Sequence, residues 1–170
     1  LLLRAKKKDT HKAEIITLSE AKKIGVLFDV QSPDDILEIK LLLKFFLQKN
    51  IDVYVLGFVN TLKMEDYHLS SIHLDFFNLK DLTILGFPNS KKLHNFINNR
   101  FDFLINLSLT NSFPTKYLSL QSDSKFRIGI FEENSEFSYD FMLKLKMKSL
   151  NYLIKNLKHY LELIDKNNAK

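Results

Sequence analysis

Asp29 closes the apolar run GVLFD and stands just before a helix-start signature, Gln31-Ser32-Pro33-Asp34-Asp35. Ser108, Thr110, Asn111 and Ser112 follow a second apolar run, FDFLINLSL, ahead of another helix start, and Glu132 and Glu133 follow a third, KFRIGIF. If these run ends share one edge of a sheet, they form an acidic crevice with a hydroxyl rim. A crevice lined by Asp29, Gln31, Ser108, Thr110, Asn111 and Glu132 would suit a sugar, an amine or a metal better than a nucleotide. Each of these residues also has an ordinary structural use. Ser and Asn cap helices, and Asp and Glu solvate surfaces, so both readings stand at this point.

The junction after Asp29 is where many α/β proteins hold a phosphate, and its chemistry argues against one here. A backbone phosphate cradle needs glycines, because the chain must turn tightly and approach the anion closely. The four glycines, Gly25, Gly57, Gly86 and Gly129, lie in apolar contexts within or at the edge of predicted strands, and none opens a loop. Neither GxGxxG nor a GKS/GKT loop occurs. Pro33 removes an amide donor, and Asp34 and Asp35 already complement the positive end of the helix. No flavin, dinucleotide or other cofactor is predicted at this loop.

No other constellation supplies catalytic groups. The histidines at 11, 68, 73, 94 and 159 show no helical His-x-x-x-His spacing, and no metal site is predicted. Ser119, Ser122 and Ser124 lack a nucleophile elbow. Cysteine is absent. The 15 phenylalanines fall mostly on predicted strands and inner helix faces and read as core, with Phe76, Phe77 and Phe87 as an alternative surface patch for a partner.

The elements that must position the candidate residues alternate between apolar runs and amphipathic runs, the mark of an α/β fold. Strands are predicted at 23–30, 50–59, 101–109 and 125–131. Helices are predicted from Ser32 to about Lys49, over 90–98, over 113–124 and from Ser149 to about Asp165. Residues 60–89 carry short strand-like pieces and no long helix, and are expected either to cover a sheet edge or to form a short third strand near 82–86. Alternation in FSYDFMLKLK, with Phe141, Leu143 and Leu145 opposite Lys144 and Lys146, predicts an antiparallel edge strand guarded by lysine. The expected architecture is a Rossmann-like three-layer α/β/α sandwich. Its sheet is mostly parallel, with the first and fourth strands adjacent at the switch point. A basic segment (1–20), one domain (21–166) and a tail (167–170) are expected.

The net charge of +5 does not point to nucleic acid. Residues 1–12 hold five bases and one acid, and residues 144–170 hold seven lysines and two acids. Between them lie thirteen bases and seventeen acids. Only three of the bases are arginine, the residue that reads guanine edges and clamps phosphates. No specific nucleic-acid partner is expected. Arg4, Lys6, Lys7 and Lys8 can make weak contact with an anionic surface. No apolar run approaches the roughly 18 residues of a membrane span. Leu1-Leu2-Leu3 is too short for a signal core, and with no cysteine a cytoplasmic location is the default.

The succession AKKIGVLFD, VYVLGFVN, DFFNLKDLTILGFPNS and FDFLINLSLTNSFPTKYLSLQSDSKFRIGIF resembles a family of uncharacterised single-domain bacterial proteins typical of Bacteroidetes, from about Ala21 to Ile164. That resemblance implies a fold and no activity. Locally, FDFLINLS…YLSLQSDSKFRIGIF resembles the strand-helix-strand near the end of the N-terminal half of heptosyltransferase-like GT-B glycosyltransferases, which would imply a sugar or sugar nucleotide as ligand. Asn106 stands where that pattern has its second aspartate, and the Gly-Asp loop expected after the first strand is absent. The sequence as a whole assigns no function. It favours a non-catalytic Rossmann-like module that binds a protein or small molecule, with a GT-B-related domain as the alternative.

Overall fold

A computed structural model of the chain describes residues 11–110, 112–132 and 139–168, with side chains to residue 166. Six strands, β1 (Lys23–Asp29), β2 (Asp52–Val59), β3 (Leu74–Asn78), β4 (Phe101–Asn106), β5 (Ser124–Ile130) and β6 (Phe141–Leu143), form one sheet in the order β3-β2-β1-β4-β5-β6. All five pairings are parallel. A parallel sheet covered on both faces is built from continuous apolar runs rather than alternating ones, and β1, β2 and β4 are such runs. Helices α1 (Pro33–Leu47) and α4 (Leu150–Asn168) cover one face, and α2 (Lys91–Asn98) and α3 (Phe113–Gln121) the other. The fold is the Rossmann-like α/β sandwich that the sequence predicts, with β1 beside β4.

Two cores result. On the first face Ile24, Val26 and Phe28 of β1 meet Ile36, Ile39, Leu42 and Phe46 of α1 and Leu150, Leu153, Leu157 and Leu161 of α4. On the second, Leu27, Leu56, Phe58 and Leu104 meet Leu93 and Phe96 of α2 and Leu118 of α3. Period-2 strands and period-3.6 helices thus sort the same apolar residues onto the two sides. Asp102 ties the sheet's lower edge. Its Oδ2 accepts from the amides of Lys22 (2.8 Å) and Lys23 (3.0 Å), and its Oδ1 pairs with Lys125 Nζ at 2.9 Å.

Three expectations are corrected. The edge strand is parallel to β5, with Ile128 opposite Phe141 and Ile130 opposite Leu143. Alternation marks a half-wet strand but reads the same in either direction, so it carried no information on polarity. The strand also stops at Leu143, and Lys144 turns over the Phe131 ring instead. The third strand is Leu74–Asn78, not residues 82–86. Phe76 and Phe77 lie within it and are buried, so they are core and not a surface patch.

Residues 82–88 form a small hairpin, with Leu82 bridged to Pro88. The Gly86 amide donates to Thr83 O (2.8 Å) and the Thr83 amide to Phe87 O (2.9 Å). Gly86 has φ +81, so this is a three-residue loop closed by a residue in the left-handed region, which glycine occupies at no steric cost. Gly86 therefore sits at a turn, outside any strand. Phe87 packs against Phe113 and Tyr117, at ring-centroid distances of 5.5 and 5.2 Å, and anchors the hairpin on α3.

Candidate functional site

Because β1, β4 and β5 are adjacent and parallel, their C-terminal ends lie along one edge of the sheet. The residues leaving those ends meet there, at the point where the strand order reverses and where open α/β sheets bind ligands.

Asp29 is the centre of the arrangement. It is 8% exposed, at the end of β1. Its Oδ2 accepts from the Thr110 amide at 3.0 Å and from the Thr110 hydroxyl, which reaches across from the loop after β4. Its Oδ1 is buried and makes no hydrogen bond. The Ser108 hydroxyl, close enough to favour the charged form, donates to Thr115 Oγ1 at 2.9 Å instead. Burial holds the Asp29 carboxyl above its ordinary range, Asp35 adds to this, and the Thr110 and Ser108 groups oppose it.

A cleft of about 670 Å³ opens beside it. Asp29, Gln31, Asn60, Thr110 and Ser112 give it a polar side. Phe58, Leu79, Leu82, Phe113 and the hairpin residues Ile84 and Leu85 give it an apolar one. Ile84 and Leu85 are strongly exposed at the hairpin tip. Ser112 precedes α3 in the cap position, yet its buried Oγ makes no hydrogen bond.

The loop after β1 holds an internal carboxylate where a phosphate would sit. Asp35 Oδ2 accepts from the amides of Gln31 (2.9 Å) and Ser32 (2.8 Å). An anion would have to displace this carboxylate from the donors it needs.

Glu132 does not line the cleft. It pairs with Lys116 on α3 beside a separate void of about 10 Å³, roughly one water molecule in size. Asn106, Ser108, Thr110 and Tyr139 complete that void's polar wall. Asn106 donates to the Tyr139 hydroxyl at 2.8 Å. Burial pushes the Tyr139 phenol up to about 12, against the Asn106 hydrogen bond and with the help of the Glu132 charge, so it stays protonated at neutral pH.

Of the predicted residues, Asp29, Gln31 and Thr110 share the cleft, and Ser108 and Glu132 lie beside the void behind Thr110. Asn111, Glu133, and the surface-contact residues Arg4, Lys6, Lys7 and Lys8 lie outside the described residues. Asn60, Phe113 and the hairpin tip were not anticipated as lining. Asn60 was within reach, since it leaves β2 next to β1; the hairpin carried no such signal. The hydroxyls of Ser108, Thr110 and Thr115 bond to one another's chain segments or to Asp29, and no histidine lines the cleft. No cluster of three or more His, Cys, Asp or Glu of metal-binding geometry occurs among the described residues. The arrangement is equipped to hold a molecule by hydrogen bonds and apolar contact.

The chain matches a family of unknown function (DUF6913) over residues 2–164, and it belongs to that family. No curated protein and no solved structure matches it. Among the described residues no helix is long and apolar enough to cross a membrane.

Proposed function

We propose that the protein is a binding module for a small neutral or cationic molecule that carries hydrogen-bond donors and an apolar part, such as a sugar or an amine. The observation that carries this reading is Asp29, a buried carboxylate with one oxygen secured by Thr110 and the other unpartnered. A buried charged acceptor without a partner costs about 1–3 kcal/mol or more, and a donor-bearing ligand would offset that. Asp29 and the Asp35 carboxylate at the neighbouring loop disfavour an anion, and the leucine, isoleucine and phenylalanine wall would take up apolar surface.

A thermal-shift screen of sugars, polyols and small amines tests the proposal. Binding at roughly a hundredfold above Kd should raise Tm by several degrees through mass action. The rise should disappear in Asp29→Ala and shrink in Thr110→Val. If no polyol or amine gives a saturable rise, or if the rise survives Asp29→Ala, the proposal fails.

A further inference from the structure

A second cleft, of about 350 Å³, lies at the opposite, N-terminal edge of β4 and β5. Its inner surface holds Arg127, which is 4% exposed on β5, and the buried Ser122 and Ser124. Arg127 donates from Nη2 to Ser122 O at 2.9 Å, while its Nε is buried without a partner. The hydroxyls of Ser122 and Ser124 are likewise buried and unpartnered. No carboxylate forms an ion pair with the Arg127 side chain among the described residues.

The nearby acids are committed elsewhere. Asp140 Oδ2 accepts from His11 Nε2 and from the Arg127 backbone amide, both at 2.8 Å. Asp123 pairs with Arg100 at 3.3 Å. Glu14 and Asp123 also line the cleft but are exposed, where water and salt screen them. Lys12, an exposed residue of the same lining, makes no ion pair among the described residues. Burial disfavours the charged form of Arg127, and the nearby Asp140 and Asp123 charges oppose this only in part and without direct contact with the guanidinium. A buried guanidinium with no carboxylate against it is disfavoured, and Arg is the side chain best shaped to grip an oxyanion with directed donors.

We propose that this cleft is an oxyanion site, taking phosphate or a phosphoryl or carboxylate group of a small molecule. The anion would accept from Arg127 Nε and from the Ser122 and Ser124 hydroxyls, with Lys12 closing over it. One ligand would then satisfy three buried donors that the fold leaves unpaired, through charge-assisted hydrogen bonds. The site is independent of the Asp29 cleft, which disfavours anions.

Inorganic phosphate and acetate are the probes, titrated into the full chain at constant ionic strength with chloride as the balancing anion. The occupied site should raise Tm saturably, by about 3–10 °C once the probe exceeds its Kd roughly ten- to hundredfold. The chain has three arginines, so the Arg127 Nε–H resonance is readily assigned, and it should shift along the same saturation curve. A larger response to phosphate identifies a phosphoryl ligand and a larger response to acetate a carboxylate; either supports the proposal. Arg127→Met should abolish the response. Lys12→Ala, at an exposed position that does not test the fold, should weaken it several-fold, and Asp29→Ala should leave it unchanged. A native chain whose Tm and Nε–H signal respond to neither anion overturns the proposal, as does a response that persists in Arg127→Met or is untouched by Lys12→Ala.

Discussion

Gly129 and Tyr139 offer a sharp test of how this molecule is packed. A Cβ added at Gly129 would lie 2.5 Å from Cδ2 and Cε2 of Tyr139 and 2.6 Å from Cδ1. The optimal carbon–carbon separation is about 3.5–4.0 Å, so the ring must retreat by about 1 Å. It has little freedom to do so, being 8% exposed and tied through its hydroxyl to Asn106 at 2.8 Å. Overpacking of this kind costs about 1–3 kcal/mol. A retreating ring also breaks the Asn106 hydrogen bond and leaves a buried amide donor unpaired, a further cost of about 1–3 kcal/mol. Gly129→Ala should therefore lose about 2–6 kcal/mol, or about 5–17 °C in Tm for a chain of this length. Urea and thermal melts followed by circular dichroism measure this, and Tyr139→Leu completes a double-mutant cycle. The cost of Gly129→Ala should fall by at least about 1 kcal/mol in the Tyr139→Leu background, since residues in contact are not additive. A loss below about 1 kcal/mol, or one equal in both backgrounds, would show that the ring does not bear on Gly129.

Asp29 should make its stability contribution in acid. Burial raises its folded pKa, so its contribution is fully present below the ordinary aspartate value near 3.9 and is lost as pH rises through the folded value. Urea melts at stepped pH should show the stability of the native chain relative to Asp29→Asn declining from pH 4 to pH 7; a relative gain would contradict this. Asp102 should behave in the opposite way. Burial raises its pKa, but the Lys125 ammonium and the amides of Lys22 and Lys23 outweigh that and leave it lowered. Its contribution is therefore present above about pH 4 and lost as pH falls through the folded value. Asp102→Asn should cost about 1–3 kcal/mol at pH 7, with the difference shrinking in acid on the same melts. Leu153→Ala, at a fully buried α4 position on the sheet, should cost about 2–5 kcal/mol in equilibrium unfolding.

The strands β1, β2, β4 and β5 were legible because a strand buried on both faces must be apolar at nearly every position, and GVLFD, DVYVLGFV and FDFLIN are. Strand β3 was not, because it is a five-residue edge strand whose short apolar run is broken by Asp75 and does not stand out from the similar short pieces around it. That aspartate is accommodated by the Ser70 hydroxyl (2.5 Å) and the Phe76 amide (2.8 Å), neither of which hydropathy reveals. The pairing of Asp29 with the loop after β4 was legible from topology, since adjacent parallel strands end at a common edge. The apolar wall was not, because it comes from a hairpin whose place is set by ring contacts between Phe87 and Phe113. Arg127 could not be flagged either, since an arginine within a strand usually marks a wet face, and here it is buried.

The strand order also dictates when the chain can complete itself during synthesis. β1 bonds to β2 on one side and to β4 on the other, so the half ending at β2 leaves one long edge of β1 open until residue 106 has left the ribosome. An unpaired apolar edge invites association with other chains. The nascent N-terminal half therefore depends on prompt arrival of its C-terminal partner, and slowed translation between residues 60 and 100 should send more of the newly made protein into aggregates.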